Sequence, residues 1–200
     1  LIWIRGKDLR IADHAALSQA KPDDIAVFVV DPYFFAPERA REIPHRMQFL
    51  IDSLHALAET MAAAGGKLWV VHGRSTRVIP ALAKETRVDR VTALRWSEPI
   101  GRRRDRIIND RLNVPFELLD GETLHHPGTL RTGAGTPYSV FSPFARAFRA
   151  KFDLGRPYPT PTTLPNGPIP EHFIGKLPTL ADLGLERNPR ILKGGEAEAS

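Results

Sequence analysis

Five short runs of near-continuous apolar sequence, separated by helix-patterned stretches, constrain what this chain of 200 residues can fold into. They are LIWI (1–4), IAVFVVD (25–31), KLWVVH (67–72), VDRVTAL (88–94) and VPFELL (114–119). A strand with one wet face alternates polar and apolar residues; a strand this continuously apolar is covered by helices on both faces. The clearest intervening helix runs from Arg46 to Met61, where Met47, Leu50, Ile51, Leu54, Leu57 and Met61 recur at spacings of three and four. Pro44 precedes it and Gly65–Gly66 end it, the usual asymmetry of helix start and stop. Residues 77–86 and 102–112 read as two more helices, and 13–20 as a shorter first one. Strand–helix–strand alternation with short links predicts an α/β fold: a doubly wound, Rossmann-like, five-stranded parallel sheet with helices on both faces.

The alternation ends near residue 150. From Gly155 to Pro178 the chain is dense in proline, with Gly, Thr and Asn between, and cannot supply a sheet core. The expected organisation is an α/β unit over 1–150 and an extended Pro-rich connector over 151–190. A short tail, 191–200, begins to look ordered again.

Several classes of function drop out. No apolar run approaches the length of a membrane span, and the first residues meet Arg5 and Lys7 too soon for a signal-peptide core. The absence of cysteine removes disulfide frameworks, thiolate metal sites and Cys nucleophiles, and fits a cytoplasmic protein. Dinucleotide and P-loop glycine signatures are missing, as is the nucleophile elbow of hydrolases. His125–His126 lacks the helical spacing of a zinc-binding pair. The chain carries no self-sufficient catalytic motif, so neither a catalytic nor a metal-ligating residue is assigned. The net charge of +5 suits a polyanionic partner but is equally at home on an Arg-rich solvated surface.

What remains is a set of residues at strand ends, where a doubly wound sheet opens its ligand crevice. RGKDLR (5–10) follows the first strand, DPYFF (31–35) the second and SEPIGRRRD (97–105) the fourth. Arg, Asp and Glu beside Tyr33, Phe34, Phe35 and Trp96 can line a site for a flat aromatic ligand with polar edges. The same residues are also read as an Asp31–Pro32 turn cap and an Arg-rich helix start. For the arginines from Arg102 to Arg111, pairing with acidic neighbours is favoured over a phosphate contact.

Four stretches of this sequence resemble the amino-terminal domain of the DNA photolyase and cryptochrome family. The opening IWIRGKDLRIADHAAL is similar to the family pattern W-F-R-x-D-L-R-x-x-D-N-x-A-L, with one additional residue in the R-G-K-D step and His14 in place of Asn. RMQFLIDSLHAL (46–57) resembles R-x-x-F-L-x-x-S-L-x-x-L, and EPIGRRRD (98–105) resembles E-P-x-x-R-x-R-D. GTPYSVFSPF (135–144) resembles G-x-P-Y-x-V-F-x-P-F, and GGEAEA (194–199) the G-G-E-x-x-A that opens the family's second, helical domain.

The resemblance implies a light-harvesting domain of a deoxyribodipyrimidine photolyase. FAD and UV-damaged DNA would be bound by the helical domain, which lies beyond these residues, so these residues alone are expected to be inactive. It also implies an antenna chromophore here, with Arg10, Asp31, Tyr33, Phe34, Arg46 and Glu98 as the candidate cofactor-binding residues. Ile100 and Gly101 stand where folate-binding members place a carboxylate, and Leu94 where Asn is common. A deazaflavin or flavin-like antenna is therefore expected over a folate. The protein is expected to be a monomer without a membrane partner. By the residues themselves, Tyr138, Phe141 and Phe144 are expected to anchor the domain's exit by packing against its core or the helical partner. The alternatives are a cryptochrome photoreceptor fragment, a stand-alone nucleotide-binding module, and a basic interaction domain with no aromatic pocket.

Overall fold

A computed structural model describes residues 1–151 and 155–199; the start of the expected connector, at 152–154, and the final residue of the tail lie outside the described residues. The sheet is five-stranded and all parallel. Its strands are β1 (Ile2–Ile4), β2 (Ala26–Val30), β3 (Leu68–His72), β4 (Val91–Leu94) and β5 (Phe116–Leu119), in spatial order β3-β2-β1-β4-β5.

The two-residue period of a strand sorts its side chains into two cores. Ile2, Ile4, Ala26, Phe28 and Val30 face one side, against Met47, Ile51, Leu54, Leu57 and Met61 of α3 (Pro44–Ala63). Leu1, Trp3, Val27 and Val29 face the other side, against Ile79 and Leu82 of α4 (Ser75–Thr86) and Ile108 of α5 (Pro99–Asn109). The predicted doubly wound architecture is therefore what the chain adopts. Both cores exist because the central strands β1 and β2 are apolar and buried on both faces.

Local structure departs from the sequence reading in four places. The expected helix over 13–20 shrinks to one 3-10 turn at Leu17–Gln19. Asp13 has φ of +48°, and the His14 ring accepts the Leu17 N–H, so the chain satisfies itself locally rather than nucleating a helix. The DPYFF stretch, read as strand-end residues with a turn cap, is helical: Asp31 caps α1 (Pro32–Phe35), which leads into α2 (Pro37–Glu42). Proline stands in the first turn of each of these helices, where its missing N–H costs nothing.

The exit segment also forms a helix, α6 (Phe141–Lys151), with Pro143 in its first turn. Its expected packing against the domain's own core is not found: α6 has no buried residue, and Phe141 is 77% exposed. Lastly, the proline-dense connector is extended, as expected, but it also completes the core. Leu164 and Leu183 join the α3 side and Ile169 the other. Hydrogen bonds from Lys67 N–H to Pro165 O, from Gly175 N–H to Val70 O and from the Trp69 indole to Gly167 O hold it along β3.

Candidate functional site

The order β3-β2-β1-β4-β5 reverses direction at β1, so the crevice between the carboxyl ends of β1 and β4 is the topological switch point where such sheets bind ligands. A cleft of about 910 Å³ opens there. Its walls come from the loop after β1, from α1, from the turn between β4 and α5, and from the amino-terminal half of α3.

All six sequence-predicted residues line this one cleft: Arg10, Asp31, Tyr33, Phe34, Arg46 and Glu98. Their circumstances differ. Asp31 is fully engaged by the protein: its carboxylate accepts the N–H of Tyr33 (3.0 Å) and both the N–H (2.8 Å) and hydroxyl (2.7 Å) of Ser75. It caps the starts of α1 and α4, so the turn-cap reading of Asp31 describes its bonding. Glu98 pairs with Lys7 at 2.9 Å. Arg10 donates to the carbonyl of Asp13 at 2.9 Å. Arg46 is exposed at the start of α3 and has no ion pair among the described residues. The aromatic wall is continuous. Tyr33 meets Phe34 edge-on at 4.8 Å between centroids, and Phe34 meets Trp96 at 6.2 Å.

Behind the wall lies a polar layer that sequence reasoning missed. Arg5, whose side chain is 1% exposed, donates to Asp105 at 3.0 Å and rests over the Trp3 ring at 4.2 Å. Arg104 reaches the other Asp105 oxygen at 3.2 Å and lies between the rings of Trp3 and Trp96, at 4.7 and 4.5 Å. Burial pulls the Arg5 guanidinium down to about 10, against the opposing pull of Asp105. His14 accepts the Leu17 N–H through Nδ1 at 3.1 Å, which places its proton on Nε2, 3.7 Å from the buried Asp8 carboxylate. Of the arginine run, the expected acidic pairing holds for Arg104 alone; Arg102, Arg103 and Arg106 are exposed, with no ion pair among the described residues.

Lys7, in the step that carries the additional residue, pairs with both Glu98 and Glu122 and lies over Trp96 at 4.9 Å. Partial burial lowers the Lys7 ammonium, but its two carboxylate partners more than reverse this and leave it raised. Leu50 and Ser53 also line the cleft; their spacing from Arg46 along α3 was a signal available in the sequence. Gly195 and Glu196 of the tail were not foreseeable, because nothing local announces a contact made across the whole chain.

The third alternative, a basic domain without an aromatic pocket, is contradicted by this wall. Among the described residues no helix is long and apolar enough to cross a membrane.

Comparison with known proteins places the fold and the site in context. The sequence model of the DNA photolyase family matches residues 1–166. A deoxyribodipyrimidine photo-lyase of Thermus thermophilus is 35% identical over 170 residues, covering 84% of this chain and 37% of the relative. A cryptochrome DASH of Gloeobacter violaceus is 32% identical, covering 98% of this chain and 42% of that protein. Among solved structures, a bacterial class III photolyase from Agrobacterium tumefaciens superposes with a TM-score of 0.77 at 28% identity, covering 99% of this chain and 42% of its own.

Proposed function

Starting from a chain that belongs to the DNA photolyase family, we propose that it is the light-harvesting domain of a deoxyribodipyrimidine photolyase. The observation that carries the reading is the cleft itself: about 910 Å³ at the switch point, walled by Tyr33, Phe34 and Trp96 and edged by Arg10, Arg46 and Glu98. Ligand sites of drug-sized molecules run to about 300–1,000 Å³ and combine apolar walls with a few convergent polar groups. A flat, polar-edged ring system fits both the size and the lining. When bound, an antenna chromophore supplies light absorption and passes its excitation on; the protein's part is to hold and orient it. In that role Tyr33 and Phe34 offer ring faces and edges, Trp96, overlaid by Lys7 and Arg104, backs them, Arg46 offers a cation, and Arg10 and Glu98 add polar edges.

A flavin or deazaflavin is the chemical class proposed. At the two positions where folate-binding members place a carboxylate, Ile100 presents an apolar side chain to the cleft, and Gly101 is pressed against Trp96: a Cβ there would sit 2.6 Å from the Trp96 Cβ. No side chain can be added at Gly101 without displacing the aromatic wall, and neither position carries a carboxylate.

The chain spans 37% of the length of the Thermus enzyme it matches. The parent protein's activity is accordingly a proposal: light-driven, FAD-dependent splitting of pyrimidine dimers in UV-damaged DNA, with FAD and the flipped lesion held by residues beyond these. We further propose a division into an α/β unit over 1–150, a connector over 151–190 and the start of a helical domain at 191–200, in a cytoplasmic, monomeric protein. Repair is favoured over a photoreceptor role by the photo-lyase relatives.

The test is the ultraviolet–visible spectrum of the purified protein, with mass spectrometry of whatever heating releases. A near-ultraviolet or visible band and a matching flavin-class mass are expected. A protein that shows no such band and takes up no added flavin or deazaflavin would refute the reading.

A further inference from the structure

Resting on the cleft's reading as a chromophore site, we propose that Glu196 is a positioning residue for that site: its carboxylate latches the loop that carries Arg10. The two oxygens of Glu196 accept separate hydrogen bonds from the backbone N–H groups of Ile11 and Ala12, both at 2.8 Å, across more than 180 residues of sequence. A carboxylate bound by two N–H groups makes charge-assisted bonds, the stronger kind available to a backbone loop. The backbone N–H groups it grips lie at the start of a turn with its own irregular geometry. Arg10 turns back onto the carbonyl of Asp13 at 2.9 Å, and Asp13 sits at φ +48°, a conformation that a non-glycine residue adopts only when its surroundings impose it. The turn is also held by the Ile11 side chain, which is buried in the α3-side core, and by the Tyr158 N–H, which donates to the Asp13 carboxylate at 2.8 Å.

The latch is itself anchored along α3. Arg187 forms a two-pronged pair with Asp52, with contacts of 3.1 and 2.6 Å. Asn188 and Gln48 exchange hydrogen bonds of 2.8 and 3.0 Å. Gly194 then lies so tightly on the Phe49 carbonyl and Ser53 hydroxyl that no Cβ could be accommodated. From there Gly195 and Glu196 form part of the cleft wall. The tail thus spans from the helix that bears Arg46 to the loop that bears Arg10, and ties together the elements that carry two candidate ligand-binding arginines of the cleft.

Glu196 is expected to act through Arg10, not by touching the ligand, and this distinguishes it from a general support of the fold. The experiment uses the full chain with Glu196→Gln, Arg10→Ala and the double variant. Flavin mononucleotide binding is measured by fluorescence, and amide hydrogen exchange at Ile11 and Ala12 by NMR. In Glu196→Gln, exchange at Ile11 and Ala12 should rise at least about tenfold while the β1–β5 amides stay protected, since one charge-assisted pair is lost. Flavin affinity should fall about tenfold in Glu196→Gln, but by less than about twofold when Arg10 is already Ala, the non-additivity expected of coupled residues. Unchanged exchange in Glu196→Gln overturns the latch. Faster exchange with unchanged affinity, or losses that simply multiply in the double variant, overturns the positioning role. Wild-type protein that binds neither flavin mononucleotide nor a deazaflavin defeats the chromophore reading, and the positioning role with it, while faster exchange would still establish the latch as a structural contact.

Discussion

Asp31, at the carboxyl end of β2, and Ser75, the first residue of α4, are joined twice: the Asp31 Oδ2 accepts the Ser75 N–H at 2.8 Å and its hydroxyl at 2.7 Å. One carboxylate thereby caps two helices and closes the cleft's edge between neighbouring strands. Its primary work is to orient α1, which displays Tyr33 and Phe34.

Replacing Asp31 by Ala should therefore destabilise the domain by about 1–2 kcal/mol, the usual cost of losing a helix cap. Flavin affinity should fall with it, because the aromatic wall loses its tether. Denaturant midpoints and a binding titration on the same preparation separate the two effects; an Asp31→Ala protein of wild-type stability would contradict the capping role.

Arg46 behaves oppositely. It is exposed and has no ion pair among the described residues, so Arg46→Ala should leave stability within about 0.5 kcal/mol of wild type. Chromophore content, measured as absorbance per mole of purified protein, should nevertheless drop. Equal content in variant and wild type would remove Arg46 from the site.

The Arg5–Asp105 pair is buried on both sides, with side chains 1% and 4% exposed. Asp105→Ala should cost about 3–5 kcal/mol, because it strands a buried guanidinium. Thermal or chemical denaturation checks this, and a loss below about 1 kcal/mol would show that Arg5 finds water or another partner.

Acid should loosen the contact of Glu122 with Lys7, a residue of the cleft wall. Partial burial pushes the Glu122 carboxyl up, but hydrogen bonds from Lys7 and the Ser97 N–H outweigh this and hold it below the ordinary range. A carboxyl lowered by folding adds stability above its unfolded value and loses it as pH falls. Stability should thus decline from about pH 4.5 downward, and less steeply in Glu122→Gln. Parallel pH profiles for the two proteins would contradict the assignment.

The strands, α3 and the switch-point crevice were legible in the sequence because they rest on local periodicity: two-sided apolar strands, and Met47 through Met61 at helical spacing. That one cleft gathers the six candidate residues follows from their place on the segments after β1, β2 and β4 and at the start of α3. What escaped was long-range or context-dependent. Arg5 meets Asp105 across 100 residues, and Glu196 reaches Ile11 across 185, contacts that no window of sequence contains. The 13–20 segment looked helical by composition, yet the Leu17 N–H bonds to the His14 ring. Phe141 was expected to pack on the domain's core or on the helical partner, and the structure leaves it off the core, 77% exposed.

The most direct test of the central claim is a flavin mononucleotide titration of the full chain beside a Leu50→Trp variant. Leu50 lines the cleft, with its Cδ1 3.1 Å from where a Cβ on Gly6 would lie, so the larger ring must occupy ligand space. The account predicts one flavin per wild-type chain and at least about a tenfold weaker complex in the variant, with the fold of both retained by circular dichroism. A wild-type chain that binds no flavin, or a folded variant that binds it equally well, would show that the switch-point cleft is not the chromophore site.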